Sequence, residues 1–235
     1  MSARSDKLFQ RGRRKDKNSL ARKAETKKTR KRALIVCEGE KTEPLYLNAL
    51  IRHLGLTTAD VRISGECGSA PLSVVKHGKD LLRDDSDYDF VFFVFDRDTH
   101  PNYDNAINSI YNLEKKREHK PKTIAAITSV PCFELWFLMH FSMHSRPYDA
   151  EGDKSPAACL ISDLKQIAGF EDYEKASTDH FTKLLPNINT AKSNSVRRLI
   201  DCRNSGERDF HGNPSTKMHL LVSALEEIAN DSNDD

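Results

Sequence analysis

The sequence lacks long hydrophobic runs, paired cysteines and a phosphate-binding loop, and each absence excludes a class of protein. The longest apolar stretches fall well short of the ~20 residues that a transmembrane helix needs, and the N-terminus has no apolar signal segment. The five cysteines are scattered without a CxxC pair, so neither a zinc cluster nor a disulfide framework is indicated. We expect a cytoplasmic protein without a membrane partner.

A GxxxxGK[ST] motif is also absent, which excludes ATP hydrolysis through a Walker loop. If ATP drives the pathway, a separate partner must supply that activity. The sequence leaves open whether the chain forms a homo-oligomer.

The near-neutral net charge of +2 hides a strong asymmetry along the chain. The chain has 37 basic residues (Lys and Arg) and 35 acidic residues (Asp and Glu). Residues 1–32 contain 14 of the basic residues and three of the acidic ones, so the rest of the chain contains 23 basic and 32 acidic residues. A basic arm on an acidic body fits an enzyme that attracts a polyanion, although a solubilising tail is the competing interpretation. We expect residues 1–32 to be disordered when free. The arm residues expected to contact DNA or RNA are Arg11, Arg13, Arg14 and Lys15.

From residue 33 onward, short hydrophobic runs alternate with amphipathic segments. This pattern predicts an α/β fold with a mostly parallel sheet flanked by helices. We predict a catalytic core over residues 33–145 and a helical C-terminal extension over 146–235, with helices near 155–168, 179–200 and 215–230 and no further strand. The predicted strands are 33–37, 61–63, 89–95 and 123–128.

Carboxylates follow two of the predicted strands at the point where each ends. Glu38 directly follows the first strand, and Asp96 and Asp98 follow the third. Ligands in open α/β sheets bind beyond the carboxyl ends of the strands, and Mg²⁺ prefers oxygen ligands. These residues therefore indicate a site for Mg²⁺ or Mn²⁺. The alternative is that the aspartates cap the next helix and that Glu38 is a turn residue.

Three further glutamates are candidates for the same site. Glu43, or Glu40 beside it, is placed to bind a second ion or to act as a base. Glu134 is a carboxylate within a run of large apolar side chains, and an unpaired buried charge is costly. Glu134 must therefore reach a cation or partner, or face solvent, and the alternative role is to complement the dipole of the helix that it begins.

Basic and histidine side chains near these motifs support weaker hypotheses. Lys41 is a candidate phosphate contact, because a cation beside the carboxylates neutralises developing negative charge, and a surface lysine is the competing interpretation. We expect Arg97 to point away from the metal. His140 and His144 are spaced to share a zinc ion, but no third ligand has a recognisable spacing, so two ordinary histidines are the better interpretation.

The stretches LIVCEGEKTEP, FVFFVFDRD and SVPCFELWFLMHF, within residues 33–141, together resemble the RloB-like proteins. These are bacterial defence proteins linked with restriction loci and related to the second component of the AbiL abortive-infection system. RloB-like proteins look like TOPRIM-fold members, akin to the OLD nucleases, in which a strand-one glutamate and a DxD bind Mg²⁺. The resemblance places Glu38, Asp96 and Asp98 in those positions. Glu43 matches a second acidic position of OLD-type nucleases, with a gap one residue longer than EGxxE.

These observations predict a metal-dependent nuclease in antiphage defence, with Glu38, Asp96 and Asp98 as ligands and Glu43 and Glu134 assisting. One alternative is a non-catalytic nucleic-acid-binding or regulatory subunit of a partner ATPase. A phosphotransferase or phosphatase that acts on a small nucleotide is another, because the carboxylates alone do not distinguish these reactions.

Overall fold

Each hydrophobic run of the first half forms a buried strand, and the amphipathic segments between these runs form helices. The chain is described by a computed structural model over residues 30–39, 41–58, 60–65, 68, 70–97, 100–115, 121, 123–175 and 180–233. The alternation confirms the predicted α/β fold. The elements are β1 (Ala33–Cys37), α1 (Thr42–His53), β2 (Val61–Ser64), α2 (Pro71–Asp84), β3 (Phe90–Asp96), α3 (Tyr103–Lys115) and β4 (Thr123–Val130).

The second half is mostly helical and contributes one short strand. A 3-10 turn over Leu185–Asn187, which contains Pro186, divides the segment predicted as one helix near 179–200 into two helices. Its elements are α4 (Glu134–Met139), α5 (Pro156–Leu164), α6 (His180–Leu184), α7 (Ile188–Asn204), β5 (Ser215–Thr216) and α8 (Met218–Asn233).

The prediction of no further strand was wrong, because β5 completes the sheet. Its two residues pair antiparallel with the end of β4, which runs to Val130 and not to Thr128 as predicted. Ser129 Oγ and Thr216 Oγ1, on the two strands, lie 2.9 Å apart. A strand of two polar residues is too short to give an alternating apolar pattern, so the sequence carried no periodic signal for it.

The order of the strands places β1 and β3 side by side in the middle of the sheet. The order is β2-β1-β3-β4-β5, and the first four strands are parallel. From β1 the chain crosses to β2 on one side and then returns to β3 on the other. The carboxyl ends of β1 and β3 therefore flank a topological switch point, where open α/β sheets bind their ligands. We call this end of the sheet the carboxyl edge, and the opposite end the amino edge.

Both faces of the sheet are buried, because successive side chains of each strand point to opposite sides. Leu34 and Phe93 face α2 and α3. Ile35 and Phe92 face α1 and the helices of the second half, and Leu221 of α8 belongs to the same cluster. The C-terminal helices therefore share one hydrophobic core with the sheet.

The chain enters the sheet at the amino edge, where two basic side chains fix the residues before β1. Lys31 forms ion pairs with Glu227 and Asp231 of α8. Arg32 forms an ion pair with Asp85 at 3.0 Å. The hydrogen bond to that carboxylate raises the pKa of the guanidinium, although burial acts in the opposite direction. The arm residues Arg11, Arg13, Arg14 and Lys15 lie outside the described residues.

Across the described part of the chain, no helix combines the length and the apolar character that crossing a bilayer requires.

Candidate active site

Glu38 and Asp96 lie side by side where β1 and β3 end. The backbone N–H of Glu38 donates to the carbonyl of Val94 at 2.9 Å, which extends the strand pairing by one residue. The backbone N–H of Asp96 donates in turn to Oε2 of Glu38 at 3.0 Å. The structure thus brings together two of the three predicted metal ligands at the carboxyl edge. The third, Asp98, lies outside the described residues, as does Glu40.

Two further carboxylates line the same pocket. Glu43 lies in the first turn of α1, and Glu134 begins α4 with only 1% of its surface exposed. Four carboxylates from four separate segments therefore converge on one cavity of about 440 Å³. The residues that line it are Glu38, Gly39, Lys41, Thr42, Glu43, Gly65, Gly68, Asp96, Phe133, Glu134 and Lys175.

Gly39 allows Glu43 to approach the loop after β1. A Cβ atom on Gly39 would lie 2.8 Å from Oε2 of Glu43, so any larger residue would displace that carboxylate. Burial raises the pKa of Glu43, and the charge of Glu134 adds to the rise, whereas the backbone N–H of Glu43 and the ammonium of Lys175 oppose it. The Glu-Gly pair after β1 is therefore explained by the packing of the pocket.

The surroundings of Asp96 in the pocket disfavour its anionic form. Burial is the main cause of a pKa well above the usual range, and the charges of Glu43, Glu134 and Glu38 raise it further. A hydrogen bond from the backbone of Phe133 opposes the rise. Several buried carboxylates that repel one another form an environment that a divalent cation relieves.

One carboxylate oxygen of Glu134, Oε1, has two partners. The hydroxyl of Tyr173 donates to Oε1 at 2.9 Å, and the ammonium of Lys175 lies 3.6 Å from the same oxygen. Among the described residues, Oε2 of Glu134 has no hydrogen-bond partner. Burial works against the charge of Lys175, but the carboxylates around it, Glu134 foremost, leave its pKa above the usual value.

Sequence reasoning did not identify three neighbours of the carboxylates. Tyr173 and Lys175 come from the segment between α5 and α6, about 40 residues from Glu134. His100 places Nε2 3.7 Å from Oε1 of Glu38. The one available signal was the cost of burying Glu134, which demands a partner without indicating where in the chain it lies.

Lys41 and Arg97 each adjoin a carboxylate in the sequence, but only Lys41 is among the residues that line the pocket. Lys41 lines the pocket just before α1 begins. The guanidinium of Arg97 donates to the carbonyl of His211 at 3.1 Å. Arg97 therefore binds the segment before β5, consistent with our expectation that it points away from the metal.

His140 and His144 each hydrogen-bond to nearby protein groups. Nδ1 of His140 donates to the carbonyl of Trp136 at 2.8 Å. His144 lies between the hydroxyls of Ser142 and Tyr148, at 3.0 and 3.1 Å. These contacts agree with the interpretation of two ordinary histidines.

The buried imidazole of His140 predicts a loss of stability in weak acid. Burial lowers its pKa to about 4, whereas an unfolded histidine titrates near 6.5. The unfolded chain therefore binds the proton more readily between these values, and stability falls as the pH falls through them. We expect this group to cost about 2 kcal/mol between pH 7 and pH 5, by the standard linkage relation.

Urea unfolding at pH 7 and pH 5 tests this expectation. The variant His140→Phe keeps an aromatic edge against Trp136 and should lose about 2 kcal/mol less than wild type across this range. His53→Phe changes an exposed position of α1 and is the matched control. An equal pH dependence for His140→Phe and wild type would contradict the assignment.

The described side chains do not form a ready-made metal cluster. Among the described residues, no group of three or more His, Cys, Asp or Glu is spaced to hold a metal ion. A metal site at Glu38, Asp96 and Asp98 therefore stays a prediction. Four of the cysteines are buried: Cys37, Cys132, Cys159 and Cys202.

The family of the chain follows from comparison with known proteins. A family model described as RloB-like protein matches residues 33–225, which span the sheet, the pocket and most of the C-terminal helices. Neither the curated proteins nor the solved structures contain a significant match. The chain belongs to the RloB-like family.

Proposed function

We propose that the chain is a nuclease that hydrolyses phosphodiester bonds in DNA or RNA with Mg²⁺ or Mn²⁺. One observation carries the proposal: four carboxylates and two lysines from separate segments line one pocket at the switch point of a parallel sheet. Carboxylate oxygens are the ligands that Mg²⁺ prefers, and lysines beside them suit a phosphate. No histidine or cysteine ligand is needed for such an ion.

Two features of the described residues fit a divalent cation. Oε2 of Glu134 is buried without a hydrogen-bond partner in the described part of the chain. Asp96 is held among carboxylates that raise its pKa. When bound, the ion would supply a Lewis acid that polarises the phosphate and activates water. Glu38, Asp96 and Asp98 are the proposed ligands.

The other pocket residues have separate proposed roles. Glu43 and Glu134 would hold a second ion or accept the proton of the attacking water. Lys41 and Lys175 would bind the non-bridging oxygens of the phosphate and offset the negative charge that develops there. The backbone N–H of Asp96 fixes one oxygen of Glu38 and thereby orients its carboxylate.

Membership of the RloB-like family supports a role in bacterial antiphage defence, beside an ATPase encoded nearby. The charge pattern favours a nucleic acid as the substrate over a small nucleotide, because the 14 Lys and Arg of residues 1–32 suit binding to an extended polyanion. A non-catalytic subunit is the second candidate. It is favoured by the ion pair of Lys175 with Glu134, which gives that carboxylate a cation from the chain itself.

Cleavage of labelled DNA and RNA separates these two functions. Wild type with Mg²⁺ or Mn²⁺ should degrade at least one substrate, whereas wild type with EDTA and Asp96→Ala with metal should not. Asp96→Ala should lower the rate of cleavage by more than about 100-fold, because a proposed ligand of the ion is lost. Equal behaviour of wild type and Asp96→Ala, with bound nucleic acid left intact, would favour the non-catalytic subunit.

A further inference from the structure

The segment between α7 and β5, residues 205–214, adjoins the carboxyl edge beside the carboxylate pocket. We call it the α7–β5 loop. Arg97, the residue after Asp96, donates to the carbonyl of His211 within the loop. The hydroxyl of Tyr103, at the start of α3, donates to the carbonyl of Phe210 at 2.7 Å. The loop is therefore attached to the segment that carries Asp96.

A buried arginine holds the other end of the loop. Nε of Arg198 donates to the carbonyl of Pro214 at 2.8 Å, and its terminal nitrogen donates to the carbonyl of Asn213 at 3.2 Å. The same nitrogen pairs with Glu207 at 3.2 Å. The carboxylate of Glu207 is thereby neutralised. A loop fixed at both ends presents its side chains in defined positions.

Phe210 has a backbone conformation that a bulky residue rarely adopts. Its φ of 67° lies in the left-handed region, a conformation that surrounding contacts must stabilise. The ammonium of Lys217 lies 3.5 Å from the centroid of its ring and 2.8 Å from Oδ1 of Asp209. The strained loop thus fixes the position of Lys217, the residue that directly follows β5.

Three basic side chains line a cleft of about 300 Å³ between the loop, the end of α7 and β5. They are Arg203, Arg208 and Lys217. Burial lowers the pKa of Lys217, and the nearby charge of Arg203 lowers it further against the opposing effect of Asp209. Like charges at one cleft repel each other until an anion lies between them. Arg208 pairs with Asp104 at 3.3 Å and Lys217 pairs with Asp209. With Glu207 neutralised by Arg198, the excess positive charge of the cleft therefore comes from Arg203.

We propose that this cleft binds a backbone phosphate of the nucleic-acid strand that passes through the carboxylate pocket. The inference rests on the proposed function, because that function supplies the strand. Arg203 and Lys217 contact the phosphate oxygens, and Phe210 and Asp209 hold Lys217 in place. The cleft fixes where the strand lies relative to Asp96.

Binding in the presence of EDTA tests the cleft without requiring cleavage. The affinity of the full chain for a labelled single-stranded oligonucleotide is measured by fluorescence anisotropy over a range of salt concentrations. Arg203→Gln and Lys217→Gln should each weaken binding roughly 5–10-fold and reduce the slope of log K against log salt by about 1. Arg83→Gln, an exposed arginine at the end of α2 near the amino edge, should retain wild-type binding.

A free phosphate compound is the other source of the same chemistry, and inorganic pyrophosphate distinguishes it. Thermal stabilisation by pyrophosphate that Arg203→Gln removes, with oligonucleotide binding unchanged, would overturn the proposal in favour of a small-phosphate site. Wild-type affinity and salt slope in both cleft variants would also overturn it. Because cleavage is not measured, weakened oligonucleotide binding would support the cleft even if the protein cleaves no substrate, so the two proposals fail separately.

Discussion

Asp96→Asn is expected to make the metal-free protein more stable while it abolishes cleavage. Desolvation raises the pKa of Asp96, and the charges of Glu43, Glu134 and Glu38 raise it further. An unfolded aspartate ionises near pH 4, so the folded chain holds this proton more tightly than the unfolded chain does. Stability therefore falls as the pH rises from about 4 through the folded pKa. An amide of the same shape removes this cost.

We expect a gain of at least about 1 kcal/mol at neutral pH, or about 2–4 °C in the midpoint of thermal unfolding. Thermal unfolding in EDTA and in increasing Mn²⁺ measures both parts of the prediction. Wild type should gain stability with Mn²⁺, since an ion that binds only the folded state stabilises it, and Asp96→Asn should not. The control is Asp153→Asn, an exposed position. A variant that is less stable than wild type in EDTA and responds to Mn²⁺ like wild type would refute the prediction.

Lys175→Met is expected to change metal binding and cleavage in opposite directions. The ammonium lies 3.6 Å from Glu134 and competes with any cation for that carboxylate. Removing it should tighten Mn²⁺ binding several-fold, because a nearby positive charge is lost. Cleavage should nevertheless fall on the order of 100-fold if the lysine stabilises the charged phosphate.

Titration of Mn²⁺ by calorimetry and a cleavage assay at saturating Mn²⁺ separate these two effects. Lys154→Met changes an exposed lysine outside the pocket and is the matched control. Weaker Mn²⁺ binding in Lys175→Met would mean that the lysine supports the carboxylate cluster and does not compete with the ion. Unchanged cleavage would assign the phosphate contact to Lys41 alone.

The central strands could be predicted because burial on both faces leaves a direct signal in the sequence. The runs at β1 and β3 contain no charged residue before Glu38 and Asp96, and both were predicted to within one residue. Their pairing was a premise of the predicted site, because β2 lies between them in the sequence, and the structure shows it. The strand β5 could not be predicted, because its pairing with β4 depends on the C-terminal helices that return the chain to the sheet.

The residues of the candidate site also fall into two groups, those that local sequence predicted and those that only tertiary packing brings to the pocket. Glu38, Glu43, Asp96 and Glu134 were candidates because each one follows a strand or begins a helix, which is a local property. Tyr173, Lys175 and the α7–β5 loop reach the carboxyl edge only through tertiary packing. No periodicity marks a loop residue that completes a distant pocket, so their contribution required the structure.

The chain enters the sheet at the edge opposite the carboxylate pocket. Lys31 and Arg32 are fixed at the amino edge, and the five residues of β1 place Glu38 roughly 17 Å further along the sheet. On the proposed function, the basic residues that precede β1 therefore join the sheet at the edge opposite the carboxylates, so their attraction for a polyanion acts from outside the pocket.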